Sequence, residues 1–204
     1  MIVAFVSVVA ACGARPQVRW DIGAEVGGMK RFATHDATPS SSTARDADMG
    51  PVLAIHGHLA LAPMIRGGLY FAEDVSPAKG VAPRSFSEGG LELKVTPPLL
   101  PLPWRLSLMA GAGYAYVYSP SYHTTVVSHG DRVSLVRIAE HGGMFELPLG
   151  LALGRRLTSS WVLVAELSAR LGVGFFGPMY DPGSGFSGRD SFALSLAIGV
   201  SFER

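Results

Sequence analysis

Residues 191–202 read SFALSLAIGVSF, and the stretch alternates without a break. Phe192, Leu194, Leu196, Ile198, Val200 and Phe202 fall on one side. Ser191, Ala193, Ser195, Ala197, Gly199 and Ser201 fall on the other. A period of two is the mark of a β-strand, whose successive side chains point to opposite faces. On a helix both sets would scatter around the axis. One face here is large and apolar; the other is small or polar.

The same alternation recurs upstream. In 160–176, Trp161, Leu163, Ala165, Leu167, Ala169, Leu171, Val173 and Phe175 oppose Glu166, Ser168, Arg170, Gly172 and Gly174. In 143–155, Phe145, Leu147, Leu149, Leu151 and Leu153 oppose Glu146, Gly150 and Gly154. In 103–118, Trp104, Leu106, Leu108, Ala110, Ala112, Tyr114, Tyr116 and Tyr118 oppose Arg105, Ser107, Gly111 and Gly113. In 18–32, Trp20, Ile22, Ala24 and Val26 oppose Arg19, Asp21, Gly23 and Glu25. Strands over 52–62 and 64–73 carry Leu53, Ile55, Leu59 and Leu61, then Ile65, Leu69 and Phe71. The weakest, 84–96, sets Leu91, Leu93 and Val95 against Glu88, Glu92 and Lys94. Pro148, awkward inside a strand, predicts a bulge.

This is an all-β chain of about eight strands, and its composition agrees. Of 204 residues only 16% are charged, and the mean hydropathy is +0.30. No apolar run approaches the ~18 residues that a helical span needs. The 25 glycines and 14 prolines exceed what a helical bundle tolerates. The net charge of +1 gives no electrostatic footing for nucleic acid.

The charges decide which face meets lipid. Asp21, Glu25, Glu88, Glu92, Glu146 and Glu166 lie on the minor face, and so do Arg19, Arg66, Lys94, Arg105 and Arg170. A soluble, lipocalin-like barrel would turn its leucines inward and these charges to water. Two features oppose that reading. The minor face is rich in Gly, Ser and Ala, which suits a crowded lumen. The apolar face sorts its aromatics into two belts. Trp20, Trp104 and Trp161 begin odd-numbered strands, and Phe202 ends the last, so all four meet one rim. Phe32, Phe71, Tyr114, Tyr116, Tyr118, Phe145, Phe175 and Phe192 mark the other rim. From Trp104 to Tyr114 a tilted strand rises about 25 Å, the height of an outer-membrane apolar band. Aromatics favour such interfaces because one part of the ring system is apolar and another tolerates water.

The connections alternate in the same sense. Short links lie around Pro63, Thr96–Pro103 and Arg155–Ser160; longer polar segments cover 33–49, 74–83, 119–142 and 177–189. Long loops outside and tight turns in the periplasm are the outer-membrane pattern. The reading is an up-and-down antiparallel transmembrane β-barrel in the outer membrane. Residues 15–204 form one barrel domain. Residues 1–14 are expected to be a signal peptide or lipoprotein signal, in which Val9-Ala10-Ala11-Cys12 makes Cys12 a candidate lipidation site.

On the alternation, the girdles and the terminal strand, residues 17–204 resemble the small outer-membrane β-barrel families, such as the OmpA transmembrane domain and the OmpW-like proteins. Those families commonly end on an aromatic residue read by the assembly machinery; here Glu203 and Arg204 follow Phe202. The resemblance implies outer-membrane lipids and the barrel-assembly machinery as partners, with no obligate protein partner.

The inward charges form the principal candidate site: Arg19, Asp21, Glu25, Arg66, Glu88, Glu92, Lys94, Arg105, Glu146, Glu166 and Arg170. They nearly cancel, and a charge in a narrow lumen is tolerable only when paired, so a salt-bridged plug is expected. Arg170 is expected to pair with Glu146. His56 and His58 share a face with metal-ligand spacing, but no third ligand is evident, so they read as members of the network and no metal or other cofactor is expected. His123, His129, Asp131, Glu140 and His141 gather in the longest loop and invite a hydrolase reading. Lipid A 3-O-deacylases of similar size use a His-x-Ser pair, and none occurs here. Val126–Ile138 alternates weakly and predicts a hairpin above the membrane. No catalytic residue is assigned. The expected role is structural or surface-interacting, with a side-chain-filled lumen. The alternatives are a narrow conduit for small apolar molecules, as in OmpW-like proteins, and a lipid-modifying enzyme.

Overall fold

Eight strands follow one another along the chain: β1 (Trp20–Phe32), β2 (Gly50–Ala62), β3 (Ile65–Ala78), β4 (Val81–Val95), β5 (Trp104–His129), β6 (Arg132–Arg156), β7 (Trp161–Phe176) and β8 (Phe192–Glu203). The computed structural model describes residues 19–32, 49–78, 81–129, 132–177 and 192–204, with side chains outside 78–82 and 119–140. The expected signal segment with Cys12 and the long loops 33–48 and 178–191 lie outside the described residues.

Each strand pairs antiparallel with the next, and β8 returns to β1 to close the barrel. At the seam the Trp20 N–H donates to the Arg204 carbonyl at 2.9 Å, and the Arg204 N–H donates back at 3.0 Å. The residues beyond Phe202 therefore complete the ladder of the first strand. Short turns join β2 to β3, β4 to β5 and β6 to β7 at one end. In the last of these, Thr158 Oγ1 accepts from the Trp161 N–H at 3.1 Å and fixes the first residue of β7.

The polarity is inverted relative to a water-soluble domain. Leu91, Leu196 and Leu167 are 68%, 60% and 52% exposed on the outer wall. Asp21, Glu25, Glu88, Glu92, Glu146, Glu166 and Arg170 are buried inside. At the short-turn rim, Phe202 packs between Trp20 and Trp161, with ring centroids 5.6 and 5.2 Å away. Trp104 joins this rim beneath Arg155. Tyr114, Tyr116 and Tyr118 are exposed toward the other end, where Phe32 meets Phe192 at 5.7 Å. The two aromatic belts are thus formed.

Four expectations need correction. Phe175 is not a girdle residue. It packs inward against Phe86, Ala115, Val117 and Met144, and Phe176 takes the outer place, stacked on Tyr114 at 6.1 Å. The cause is a register shift between β6 and β7 at Gly143/Phe145, where Gly174 adopts φ +63°, a conformation that strains any residue with a Cβ. Pro148 produces no bulge. The β5–β6 register is the same on both sides of it, and only the partners around Gly111 and Ala112 are skipped, as a residue without an N–H requires. The segment 74–83 is mostly ladder, since β3 and β4 remain paired out to Ala78↔Val81. The segment 119–142 is strand as well, running to His129↔Arg132; the hairpin expected over Val126–Ile138 is part of it.

The lipid-facing assignment has a direct test. Leu167→Arg puts a charge at the middle of the apolar band, which should destabilise the barrel by about 2–4 kcal/mol in bilayer unfolding titrations. Stability equal to the parent would mean that the leucine face does not meet lipid.

Candidate functional site in the lumen

Inward parity brings the charged residues of all eight strands onto one axis, in three tiers. The tier near the short turns centres on Asp21 and Glu203. Arg66 Nη1 donates to Asp21 and lies 2.9 Å from Glu203 Oε1; Arg105 also donates to Glu203, and Lys94 stands 3.8 Å from Asp21. The middle tier holds His56, His58, Glu25, Glu92 and Glu166. His58 Nδ1 is 2.8 Å from Asp21 Oδ1 and its Nε2 is 2.7 Å from Glu92 Oε1, so the ring joins two tiers. Ser168 and Ser195 share a hydrogen bond of 2.6 Å across β7 and β8.

The upper tier is built on Arg31, whose side chain is fully buried. Its guanidinium donates to Asp74 at 2.7 Å, to Glu146 at 3.0 Å and to Glu88. Three carboxylates around one guanidinium leave an excess of negative charge, and Arg170 supplies the second cation. Arg170 Nη1 lies against Glu88 and 3.7 Å from Glu146. The expected Arg170–Glu146 contact is present, with Glu88 as the nearer partner. Above this tier lies an apolar layer, with Arg84 buried beside it, its Cζ 5.9 Å from the Phe86 ring. Phe86 lies under Arg31, with Cζ 3.7 Å from the ring centroid, and packs with Ala115, Val117 and Met144. Glycines make room for the larger groups: a Cβ on Gly113 would collide with Tyr70 Oη and stand 2.5 Å from the Gly89 carbonyl.

Ten of the eleven charges expected in the lumen face it. Arg19 does not: its carbonyl still accepts from the Ala60 N–H at 2.8 Å, but it sits at the very rim and is exposed. Arg66 and Arg105 are half-buried, and the others are buried. Sequence reasoning missed Arg31, Asp74, Arg84 and Glu203. Arg31 shares odd parity with Asp21 and Glu25, so its signal was available. Asp74 sits in a Ser/Pro/Lys/Gly-containing stretch that reads as a loop, whereas Arg84 opens the weakest strand with the even parity of Glu88 and Glu92, so its signal was available too. Glu203 lies beyond the last girdle aromatic. Among the loop residues singled out for a hydrolase, His123 and His129 lie on the ladder of the β5–β6 hairpin and His141 is half-buried. The side chain of Glu140 and all of Asp131 fall outside the described residues.

No protein-family model matches the sequence, and no curated protein matches it. Solved structures do. Neisserial surface protein A superposes with a TM-score of 0.63 at 10% identity, covering 90% of this chain and 96% of that one. A major outer membrane protein of Thermus thermophilus gives 0.58 at 13% identity, covering 92% and 100%. The outer membrane protein OprG of Pseudomonas aeruginosa gives 0.53 at 11% identity, covering 90% and 95%. The closed eight-stranded ladder, the apolar outer wall and the aromatic rims define the class of small outer-membrane β-barrels. This chain shares that fold, and its apolar wall and aromatic rims suit it to the outer membrane.

The upper tier makes a quantitative prediction. Arg31→Gln strands buried carboxylates and should cost about 3–5 kcal/mol of unfolding free energy. Glu88→Gln added to that variant should recover part of the loss, because one stranded charge is removed. Additivity of the two changes within about 0.5 kcal/mol in a urea-unfolding double-mutant cycle would reject the coupling.

Proposed function

We propose that the barrel is a closed, non-enzymatic scaffold that carries the β5–β6 hairpin outside the membrane as a surface-interaction element. The observation that supports this most is the pairing beyond the girdle. β4 pairs with β5 only as far as Ser85↔Tyr118, and β7 pairs with β6 only from Gly143 onward. Tyr122 to His129 continue to pair with Ala139 to Arg132 and, among the described residues, with no other strand. Those eight paired residues extend the ladder by about 25 Å past the barrel. A two-stranded ribbon has two open edges and offers backbone donors and acceptors to a partner.

The filled lumen supports the same reading. Ion-paired tiers and an apolar layer cross the axis, as suits an eight-stranded barrel whose interior is only wide enough for side chains. A conduit for small apolar molecules would need a path through or around the upper tier and a lateral exit. A lipid-modifying enzyme would need a nucleophile and base at the outer rim, and the sequence lacks the His-x-Ser pair of the barrel deacylases.

Two measurements bear on the proposal. An epitope tag inserted between Gly130 and Asp131 should be labelled by antibody on intact cells; labelling only after permeabilisation would overturn the exposed hairpin. Planar-bilayer recordings of the purified monomer should lack stable nanosiemens-scale steps, and their presence would overturn the closed scaffold.

A further inference from the structure

We infer that Glu25, His56 and Glu166 form a divalent-cation site in the middle tier of the lumen, with Zn²⁺ the ion that best fits the donor set. The three residues come from β1, β2 and β7, and one ligand atom from each lies within 4.8 Å of the others. All three are buried: Glu25 is 6% exposed, His56 6% and Glu166 7%. Glu25 Oε2, His56 Nε2 and Glu166 Oε2 are each enclosed without a hydrogen-bond partner. His56 Nε2 stands 3.9 Å from Glu166 Oε2. Tetrahedral zinc with bonds of ~2.0–2.2 Å holds its ligand atoms ~3.4 Å apart, so small side-chain rotations complete the geometry.

The charges point the same way. Asp21, Asp74, Glu88, Glu146 and Glu203 each have an arginine or lysine within ion-pair distance. Glu25 and Glu166 have none within that distance among the described residues; the group that reaches Glu166 is the His56 ring. Two carboxylates that face each other in a dry interior need a cation or a proton between them. A divalent ion bound by both cancels their charge and takes the imidazole as its third donor.

The surroundings prepare His56 for the role. Its Nδ1 is 3.2 Å from Glu92 Oε1, so Nδ1 carries the proton and the Nε2 lone pair is turned toward Glu25 and Glu166. A carboxylate behind the distal nitrogen is the usual support of a zinc-bound histidine. Glu92 is itself held by His58 at 2.7 Å, and His58 by Asp21 at 2.8 Å. His56, His58 and Glu92 also lie close together, but their facing atoms already hydrogen-bond one another and leave no free donor set. A cavity of about 10 Å³, lined by His56, Tyr70, Glu92, Glu166, Ser168 and Arg170, adjoins the site. It is about the size that holds one water, the fourth ligand that a three-residue zinc site takes.

The test refolds the full chain into detergent micelles with and without ZnCl₂, removes free metal on a desalting column and measures zinc per folded chain. One equivalent is expected, with a raised melting temperature that EDTA during refolding abolishes. Glu25→Gln/Glu166→Gln keeps the side-chain shape and neutralises the pair; it should fold, as judged by heat-dependent gel mobility, and should retain no zinc. Glu92→Gln should weaken binding by about tenfold through the loss of histidine support. Nitrogen-15 NMR of histidine-labelled wild-type protein needs no variant: zinc should shift the His56 Nε2 resonance to the metal-bound range. Wild-type protein that folds without retaining zinc, an unmoved His56 resonance, or equal retention by the double variant would overturn the site and leave the two carboxylates sharing a proton.

Discussion

Hydrocarbon offers a peptide group no hydrogen-bond partner, and every other feature of this molecule follows from that constraint. A sheet in lipid must close, because an open edge would leave a row of N–H and C=O groups unsatisfied at several kcal/mol each. Here closure is made by β1 on β8 and sealed by the reciprocal bonds of Trp20 and Arg204. With eight strands, the closed ladder leaves an interior only wide enough for its own side chains. Whatever faces inward must therefore find its partners across a narrow axis.

The lumen solves this in two ways. Near the outer end, Phe86, Ala115, Val117 and Met144 pack like an ordinary core. Below them, Arg31 and Arg170 are surrounded by Asp74, Glu88 and Glu146, so that each long cation spans what would otherwise be a hole. Such pairs add little net stability over apolar packing of equal volume, since desolvation offsets most of the attraction. Their effect is on specificity. A slip of one residue in any ladder would turn these groups toward lipid, so the register with the charges inside is strongly preferred.

Much of this arrangement was legible in the sequence because a strand's period of two records two environments at once. The alternation in Phe192–Phe202 and Trp161–Val173 separates lipid from lumen. The tryptophans at positions 20, 104 and 161 each prove to be the first residue of a strand. Reading failed where the period breaks or where composition misleads. Gly174 at φ +63° exchanges the roles of Phe175 and Phe176, and nothing in the alternation before it announces the change. Asp74 lies in a strand extension whose Ser, Pro, Lys and Gly neighbours resemble a loop. The grouping of Glu25, His56 and Glu166 was out of reach for a different reason: 141 residues separate the first from the last, and only closure of β1 against β8 brings them together.

The upper tier also determines how such a protein can change over generations. Arg31 and Glu146 touch although 115 residues separate them, and Arg31 and Glu88 touch across 57. A substitution at any of these positions leaves a charge stranded unless a second, on another strand, answers it. Inward positions 31, 74, 88, 146 and 170 are therefore bound to drift as a group. On the outer wall, where lipid accepts Leu, Val, Ile or Phe alike, each position is free to drift alone. Related barrels can thus share a backbone with scarcely a residue in common: the fold constrains combinations inside and only hydrophobicity outside.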